Sequence, residues 1–390
     1  MPSLENEQDI IATLERSDRI LNIKLNVSNS LLEKSNVWME SFPALEYLCL
    51  RSPHEDRQPE PTVLPSGFLG GPTLASRRLR YIELERIYIP TLPQLLLSSR
   101  GLIHLYLGKD VLSGDGFLSP AVLSAALSTT ARLESLHVHL PYNIFHEEKG
   151  STDSELPPPN LVVLPALTYF KSVGNGSNEY LEDLVARIHA PLLERICVGI
   201  SYEDARPLDI PQLSQFISRT ERMSSLPIQT SISVEEDCFR ISHEFEIRGH
   251  ICFELKCDPW FLQVSQVDHI GSLCTQLTPL ISDMERVRID INIEPRNPPD
   301  GRDISQWLRL FRLFDGAQEL ELGTDFGLYD ELETAKIGQE VLPALRILRL
   351  NIGSRVPRVI KSFITERELT GRPITVINHW GHVESGSEFA

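Results

Sequence analysis

The chain has 390 residues, 41% hydrophobic and 23% charged, so it can bury a core and is not a disordered polymer. Its formal net charge of -17 repels phosphate backbones, which argues against a nucleic-acid partner. No apolar run is long enough to span a bilayer, so we expect no membrane partner.

The amino terminus and the cysteines predict an intracellular location. Residues 1–9 are acidic and lack the basic and apolar regions of a secretory signal. The six cysteines, at positions 49, 197, 238, 252, 257 and 274, have no spacing typical of a disulfide framework or a zinc knuckle. We therefore expect reduced thiols in a cytoplasmic or nuclear protein.

In chain order, an N-terminal helix or tail over residues 1–18 is followed by a series of similar strand motifs. The motifs follow the pattern L-x-x-L-x-L with other apolar residues at some positions, and Ser172 takes the last position of the copy at Leu167. This pattern alternates like a short strand with one buried face. Four copies follow a proline and start at Leu45, Leu167, Leu193 and Leu345. Further copies start at Leu79, Leu102 and Leu133, and degenerate forms start at Ile20, Met284 and Ala317. From Leu45 to Leu193, successive starts lie 23 to 34 residues apart.

The segments between the strands predict helices and three insertions. Apolar stripes or runs rich in alanine and leucine predict helices over 121–130, 179–189, 210–217, 260–281 and 304–314. Insertions are predicted over 52–77, 141–163 and 225–258, the last as extra strand pairing, and residues 381–390 as a disordered tail. Residues 19–380 are thus predicted to form an α/β leucine-rich-repeat solenoid with irregular repeats. Its curved parallel sheet would line the concave side, with helices on the convex side.

Several of these segments have sequences typical of one known family. The succession 42–50, 118–120, 161–169, 180–184, 209–213 and 306–308 resembles fungal, basidiomycete-type F-box/leucine-rich-repeat proteins, over about residues 18–352. The resemblance implies an N-terminal F-box that docks a Skp1-type adaptor, as in that family. The repeats then present a protein substrate to a cullin-based ubiquitin ligase.

No F-box residue can be assigned in this chain. Repeat-like sequence begins near Ile20, and the residues before it suffice for one helix, whereas an F-box has three. We therefore expect the substrate-recognition part of an F-box-type ubiquitin-ligase receptor, or an F-box-less paralogue. Either would bind a protein target, and a Skp1-type adaptor only where a missing N-terminal F-box exists. The alternative is a stand-alone leucine-rich-repeat scaffold or recognition protein with no ubiquitin link.

Strand alternation predicts which residues line the concave face. If Leu105 and Leu107 point into the core, His104 and Tyr106 point outwards. Tyr and Arg contribute much of the energy of protein interfaces, so this face is the predicted protein-binding surface. Its candidate residues are Tyr47, Tyr81, His104, Tyr106, His137, His139, Tyr169, Lys171 and Arg195. The same alternation predicts exposed side chains at Cys49, Arg51, Glu83, Arg286, Arg288, Glu319, Glu321 and Arg349. We expect His104, His137 and His139 to titrate at about pH 6.5, so that a cationic or apolar partner binds less well below that pH.

Catalytic and cofactor motifs are incomplete, so we expect neither an enzyme nor a cofactor. His243 and Glu244 begin an H-E-x-x-H pattern, but Ile247 stands where the second histidine belongs. His104, His137 and His139 have a strand spacing that could hold Zn²⁺. No carboxylate on these strands would orient the rings, so a binding patch is favoured over a metal site.

Overall fold

A computed structural model describes residues 7–27, 41–52, 62–65, 67–70, 78–112, 118–140, 161–175, 178–202, 209–220, 227–235, 238–245, 250–257, 274–276, 285–292, 311–322, 342–350, 358–378 and 383–384. The chain divides into two compact units, Met1–Ile196 and Cys197–Ala390. Most of the predicted helices over 260–281 and 304–314, and most of the predicted insertion 141–163, lie outside the described residues. The predicted disordered tail does too, apart from residues 383–384, which form a short strand.

Short helices and strands alternate along the chain. The described α-helices are α1 (Glu7–Leu14), α2 (Leu92–Ser98), α3 (Pro120–Leu127), α4 (Glu179–Ala186), α5 (Pro211–Ser218) and α6 (Arg358–Leu369). Strands of the first unit are β1 (Asn22–Asn26), β2 (Tyr47–Arg51), β3 (Thr62–Val63), β4 (Tyr81–Glu85), β5 (Ile87–Tyr88), β6 (His104–Leu107), β7 (Ser135–Leu140), β8 (Val162–Val163), β9 (Tyr169–Asn175) and β10 (Ile188–His189). The boundary between the units falls within β11 (Arg195–Tyr202). Strands of the second unit are β12 (Pro227–Glu235), β13 (Cys238–Phe245), β14 (His250–Cys257), β15 (Arg286–Asn292), β16 (Glu319–Leu322), β17 (Ile347–Leu350), β18 (Thr375–Asn378) and β19 (Val383–Glu384).

The first unit is built on parallel strands in the order β1-β2-β4-β6-β7-β9. Short strands in the return segments form two separate parallel pairs, β3 with β5 and β8 with β10. Two predicted helices end earlier than the sequence indicated. The helix predicted over 121–130 ends at Leu127. The second is the helix predicted over 179–189. It ends at Ala186 rather than His189, because Ile188 is buried and pairs with Val162.

Seven of the repeats, with motifs starting at Leu45, Leu102, Leu133, Leu167, Leu193, Ala317 and Leu345, enter their strand through the same turn. The N–H of the first motif leucine donates to the carbonyl three residues earlier, as in Leu45 to Phe42 (3.1 Å) and Leu167 to Leu164 (3.2 Å). The proline inside this turn fits because it has no N–H to satisfy. The next carbonyl then accepts two N–H groups from the following strand, as Glu46 does from Arg80 and Tyr81. The same geometry recurs in the second unit, where Leu345 donates to Leu342 at 3.0 Å.

Alternation along each strand separates a buried face from a polar one. In the first unit Leu48, Ile82, Leu105, Leu136 and Phe170 stand opposite one another and are almost fully buried. Each fully buried side chain of this size contributes roughly 1.5–3 kcal/mol, so this inward row supplies a large part of the driving force.

The return segments also bond to one another. Helices α2 and α3 pack together, as do α3 and α4. The buried Tyr180 hydroxyl donates to the Leu118 carbonyl at 2.8 Å, and the Thr129 hydroxyl donates to the Leu97 carbonyl at 2.9 Å. Helix α3 starts at a proline after Ser119, whose hydroxyl accepts from the Val122 N–H at 3.3 Å. Consecutive return segments of the first unit are therefore held together by polar as well as apolar contacts.

The second unit combines an antiparallel meander with parallel strands. Strands β14, β13 and β12 pair antiparallel, as the extra strand pairing predicted over 225–258 requires. From β12 the order continues through β15, β16, β17 and β18 in parallel, and β19 returns antiparallel. Arg367 of α6, only 1% exposed, donates to the Leu345 carbonyl at 2.9 Å beside the turn into β17.

The α/β class is confirmed, with a mostly parallel arrangement of strands in each unit. The cysteines at positions 49, 197, 238, 252 and 274 are not in disulfides. Within the described residues, no helix has the length and apolar character needed to cross a bilayer.

Candidate protein-binding face

The nine predicted binding residues lie on the polar side of the first unit, and we call them the tyrosine–histidine face. Strand registers place Tyr47 beside Tyr81, Tyr81 beside His104, and Tyr106 beside His137. On the next strand, Tyr169 of β9 stands opposite Ser135 of β7, and Lys171 stands opposite His137. Arg195 begins β11, and its N–H donates to the Thr168 carbonyl at 2.9 Å, next to Tyr169. His104 and Arg195 are exposed, and the other seven are half-buried.

Aromatic rings on this face contact one another across the strands. Tyr47 and Tyr81 stack with ring centroids 4.3 Å apart and planes inclined by 11°. The His104 ring lies 5.9 Å from that of Tyr81. Tyr106 and His137 meet edge to face at 4.3 Å. Because neighbouring rings fix one another, the face offers an ordered aromatic surface that loses little side-chain entropy on binding.

Glu83 anchors the centre of the face. Its Oε1 accepts from Arg51 Nε at 2.8 Å, and its Oε2 accepts from the Tyr81 hydroxyl at 2.8 Å. Burial raises the pKa of Glu83, but the hydrogen bonds from Arg51 and Tyr81 and the charge of Arg51 outweigh it and hold the pKa below its usual range. Glu85 also approaches Arg51, at 3.5 Å. Glu83 therefore holds Tyr81, and through it the Tyr47 stack, in place.

The sequence prediction that Glu319 is exposed is wrong, because this residue is 9% exposed and pairs with Arg286 and Arg349. The prediction that Cys49 and Glu83 are exposed is wrong as well. Both lie on the polar side by register, yet Cys49 is 1% exposed and Glu83 is 6% exposed. The rings and guanidinium of their neighbours cover them, as the contacts of Arg51 and Tyr81 with Glu83 show. Burial, and next the negative charge of Glu83, raise the pKa of the Cys49 thiol. The thiol is therefore protonated at neutral pH and serves as a small packing residue.

The predicted titration of the patch near pH 6.5 also needs correction for two of its histidines. Burial, and next the positive charge of Lys171, lower the pKa of His137 to about 4. Burial lowers the pKa of His139 as well, against a hydrogen bond between its Nδ1 and the Leu140 carbonyl at 3.2 Å. Both rings are therefore neutral at physiological pH and present an uncharged surface.

The face has unbalanced positive charge towards β9 and β11. Within the described residues no ion pair involves Lys171 or Arg195. Glu83 and Glu85, on the opposite side, share the single positive charge of Arg51, so one negative charge remains there. Arg51 was predicted to be exposed but was not included among the binding residues. Its role could not be seen from sequence, because Glu83 lies 32 positions away.

No metal-binding cluster assembles in the part of the chain that the structure describes. No group of three His, Cys, Asp or Glu side chains there could hold a metal ion. His104 stands opposite Ser135 rather than opposite either histidine of β7, which separates the three rings considered for Zn²⁺. His243, from the partial H-E-x-x-H pattern, is fully buried and hydrogen-bonds to Thr230.

No protein-family model matches the sequence, and no curated protein matches it. The resemblance to F-box/leucine-rich-repeat proteins therefore stays a prediction.

Proposed function

We propose that the protein is an irregular leucine-rich-repeat solenoid that binds another protein through the tyrosine–histidine face. The observation that carries this proposal is the ordered row of aromatic rings across β2, β4, β6 and β7. Tyrosines held half-buried and in mutual contact are typical of interface anchors. A purely structural role would not require three tyrosines and two histidines to gather on the polar side of four neighbouring strands.

The recurring turn supports the leucine-rich-repeat interpretation. The same hydrogen bond precedes strands in both units, with and without proline, and the same carbonyl pattern links each strand to the next. Repeats of 23 to 34 residues that each bury one strand and one return segment are too small to fold alone. In such a solenoid the polar side of the strands would be the concave side, which offers one continuous surface to a partner.

Charge indicates the kind of partner surface. Lys171 and Arg195 lack ion-pair partners among the described residues, whereas the acidic side chains at the other edge share Arg51. A partner with an apolar or aromatic centre and acidic groups near β9 and β11 complements this arrangement. Such charges orient the partner and speed association more than they add affinity.

A comparison of matched variants tests the proposal. One variant combines Tyr47→Ala, Tyr106→Ala and Tyr169→Ala on the face. Its control replaces three apolar residues of the same unit that are 42–45% exposed, in Leu97→Ser, Val122→Ser and Leu192→Ser. Both are compared with the wild type in quantitative affinity enrichment from cells, followed by titration with the purified partner.

We expect a partner that wild type and control retain and that the face variant loses by about tenfold or more in affinity, because truncated anchor residues each cost about 1–2 kcal/mol. A partner lost by the control and kept by the face variant refutes the assignment. The assignment is also refuted if every recovered partner binds the two variants with equal affinity.

The cellular role has two candidates. The first is substrate recognition, in the cytoplasm or nucleus, as part of an F-box-type ubiquitin-ligase receptor or its F-box-less paralogue; it rests on the sequence resemblance. The second is a stand-alone recognition scaffold without a ubiquitin link. A pull-down with a purified Skp1-type adaptor tests whether this chain binds the adaptor directly, and we expect no binding. An in-frame F-box in the gene upstream of Met1 would favour the first candidate.

A further inference from the structure

The polar side of the second unit contains a cavity that the proposed protein-binding face does not explain. It has a volume of about 260 Å³ and lies over strands β12, β15, β16, β17 and β18. The side chains that matter most in its wall are Arg286, Arg288, Glu319, Glu321, Arg349 and Ile377. It is formed entirely by residues of the second unit, so it is independent of the tyrosine–histidine face.

Strand register brings these charges together in two rows. Arg286 stands opposite Glu319, which gives the first row. Arg288 stands opposite Glu321, and Glu321 stands opposite Arg349, which gives the second. Residues between them on the same strands, such as Val287 and Leu320, point the other way and are buried. Three guanidinium groups and two carboxylates therefore surround one small space.

The arginines are only partly used by these carboxylates. Arg286 and Arg349 both approach Glu319 through Nε, the first at 3.1 Å, and Arg288 lies 3.5 Å from Glu321. No hydrogen bond from a terminal nitrogen of Arg286 or Arg349 to another described residue is present. Since Nε and one terminal nitrogen make the usual fork for a carboxylate, much of the donor capacity of both groups faces the cavity.

Stability alone does not account for this arrangement. The side chains of Arg286, Arg288 and Arg349 are 39–52% exposed, and ion pairs with such exposure contribute only about 0–1 kcal/mol each. Three arginines and two glutamates line the cavity, so its wall carries one more positive than negative charge. In a chain with a net charge of -17, a local positive excess inside a concave site is a feature of anion recognition.

We infer that this cavity binds a small monocarboxylate with an apolar body. A guanidinium matches the two oxygens of a carboxylate in plane, and the single excess positive charge matches one negative charge. Ile377, which stands opposite Arg349, supplies apolar wall on the β18 side, where the body of the ligand would pack. The volume is at or below the lower end of ordinary ligand pockets, which favours a ligand of few heavy atoms.

Calorimetric titration of the full chain at low ionic strength tests the inference. The probes are 4-methylpentanoate, its uncharged analogue 4-methylpentanamide, and inorganic phosphate. We expect saturable binding of 4-methylpentanoate with a Kd on the order of 1 mM, as its size allows. The amide lacks the charge and should bind at least about tenfold more weakly. Phosphate has no apolar body to pack against Ile377, so it should bind more weakly as well.

Variants with opposite expected effects locate the site. Arg349→Gln and Arg288→Gln should each weaken 4-methylpentanoate about threefold or more, whereas Glu321→Gln should strengthen it by a similar factor. Arg288 and Glu321 are 39% and 28% exposed, whereas Arg349 pairs with the more buried Glu319, so we expect the Arg288 change to disturb the fold less than the Arg349 change. The control is Arg240→Gln, which removes an arginine paired with Glu254 at 3.3 Å in the same unit but outside the cavity. It should leave the affinity unchanged.

Several results would overturn the inference. Absence of saturable binding by 4-methylpentanoate removes the site, and equal binding of the amide removes the role of charge. Tighter binding of phosphate contradicts the monocarboxylate assignment. Equal losses in Arg240→Gln and Arg288→Gln, or weaker binding in Glu321→Gln, show that the cavity is not where the ligand binds.

Discussion

His243 is expected to make the meander of the second unit sensitive to acid. The ring is fully buried, and its Nδ1 lies 2.6 Å from the Thr230 hydroxyl. Its Nε2 has no hydrogen-bond partner within the described residues. Burial, and next the positive charge of His250, lower the pKa of His243 to about 3. Replacing it in His243→Asn keeps an amide where Nδ1 lies, so Thr230 retains a partner, and removes the titrating group.

The sign of the effect follows from the two pKa values. In the unfolded chain the ring takes up a proton near pH 6.5, whereas in the folded chain it stays neutral down to about pH 3. Below pH 6.5 the unfolded state is therefore stabilised relative to the folded state. At about pH 5 the difference amounts to roughly 2 kcal/mol, from 1.36 kcal/mol for each unit below the unfolded pKa. The ring is fully buried, so no discount for solvent screening applies.

Amide hydrogen exchange of peptides from β12, β13 and β14 measures this effect. Wild type and His243→Asn are compared at about pH 7.5 and about pH 5, and the comparison at equal pH cancels the intrinsic exchange rate. At the higher pH the variant should be equally or less protected, because asparagine fills less space. On acidification the wild type should lose about 2 kcal/mol more protection than the variant. Ser242→Ala, a neighbouring change without a titrating group, should follow the wild type at both pH values.

An equal loss of protection in wild type and His243→Asn would refute the reasoning. It would mean that the ring either reaches water in the folded state or shares its proton with another group. A greater loss in the variant would show that the Thr230 contact, and not the neutral ring, governs stability.

Three further predictions concern the first unit. Leu105→Ala, at a side chain 1% exposed, should lower the free energy of unfolding by about 2–5 kcal/mol in denaturant titrations, and a loss below about 1 kcal/mol would contradict inward packing of β6. Gly174→Ala should lower the melting temperature by the equivalent of about 1–3 kcal/mol, because its Cβ would lie 2.9 Å from the backbone N and O of Leu140. A melting temperature equal to that of wild type would show that β7 and β9 are not so close. A double-mutant cycle of Arg51→Ala and Glu83→Ala should give a coupling of about 0.5–1 kcal/mol, small because the Arg51 side chain is 46% exposed. Since the folded pKa of Glu83 is lowered, the coupling should be present above its unfolded pKa and disappear as pH falls through the folded value.

Much of the strand pattern could be predicted because it is local. Leu48 and Leu50, or Leu105 and Leu107, alternate with polar residues, and period two fixes which side of a strand is apolar. The prolines and the first motif leucine marked the turns for the same reason, since a turn spans only four residues. The end of α4 was misplaced because the pairing of Ile188 with Val162 joins residues far apart in sequence.

The candidate site could be predicted as a set of residues but not as a set of contacts. Alternation identified Tyr47, Tyr81 and His137, yet whether their rings touch depends on the register between strands. The burial of Glu83 and the lowered pKa of His137 follow from neighbours on other strands, and no local pattern reports them.

The α/β class, the positions of the strands that carry the L-x-x-L-x-L motif and the apolar side of those strands could be predicted from the sequence alone. These follow from hydrophobic periodicity and turn chemistry, which act over a few residues. Only the tertiary structure decided which side chains meet: Arg51 with Glu83, Tyr106 with His137, and three arginines around Glu319 and Glu321. The physical reason is that strand register depends on the joint packing of segments about 30 residues apart, so charge and burial on the polar side emerge only after the strands are aligned.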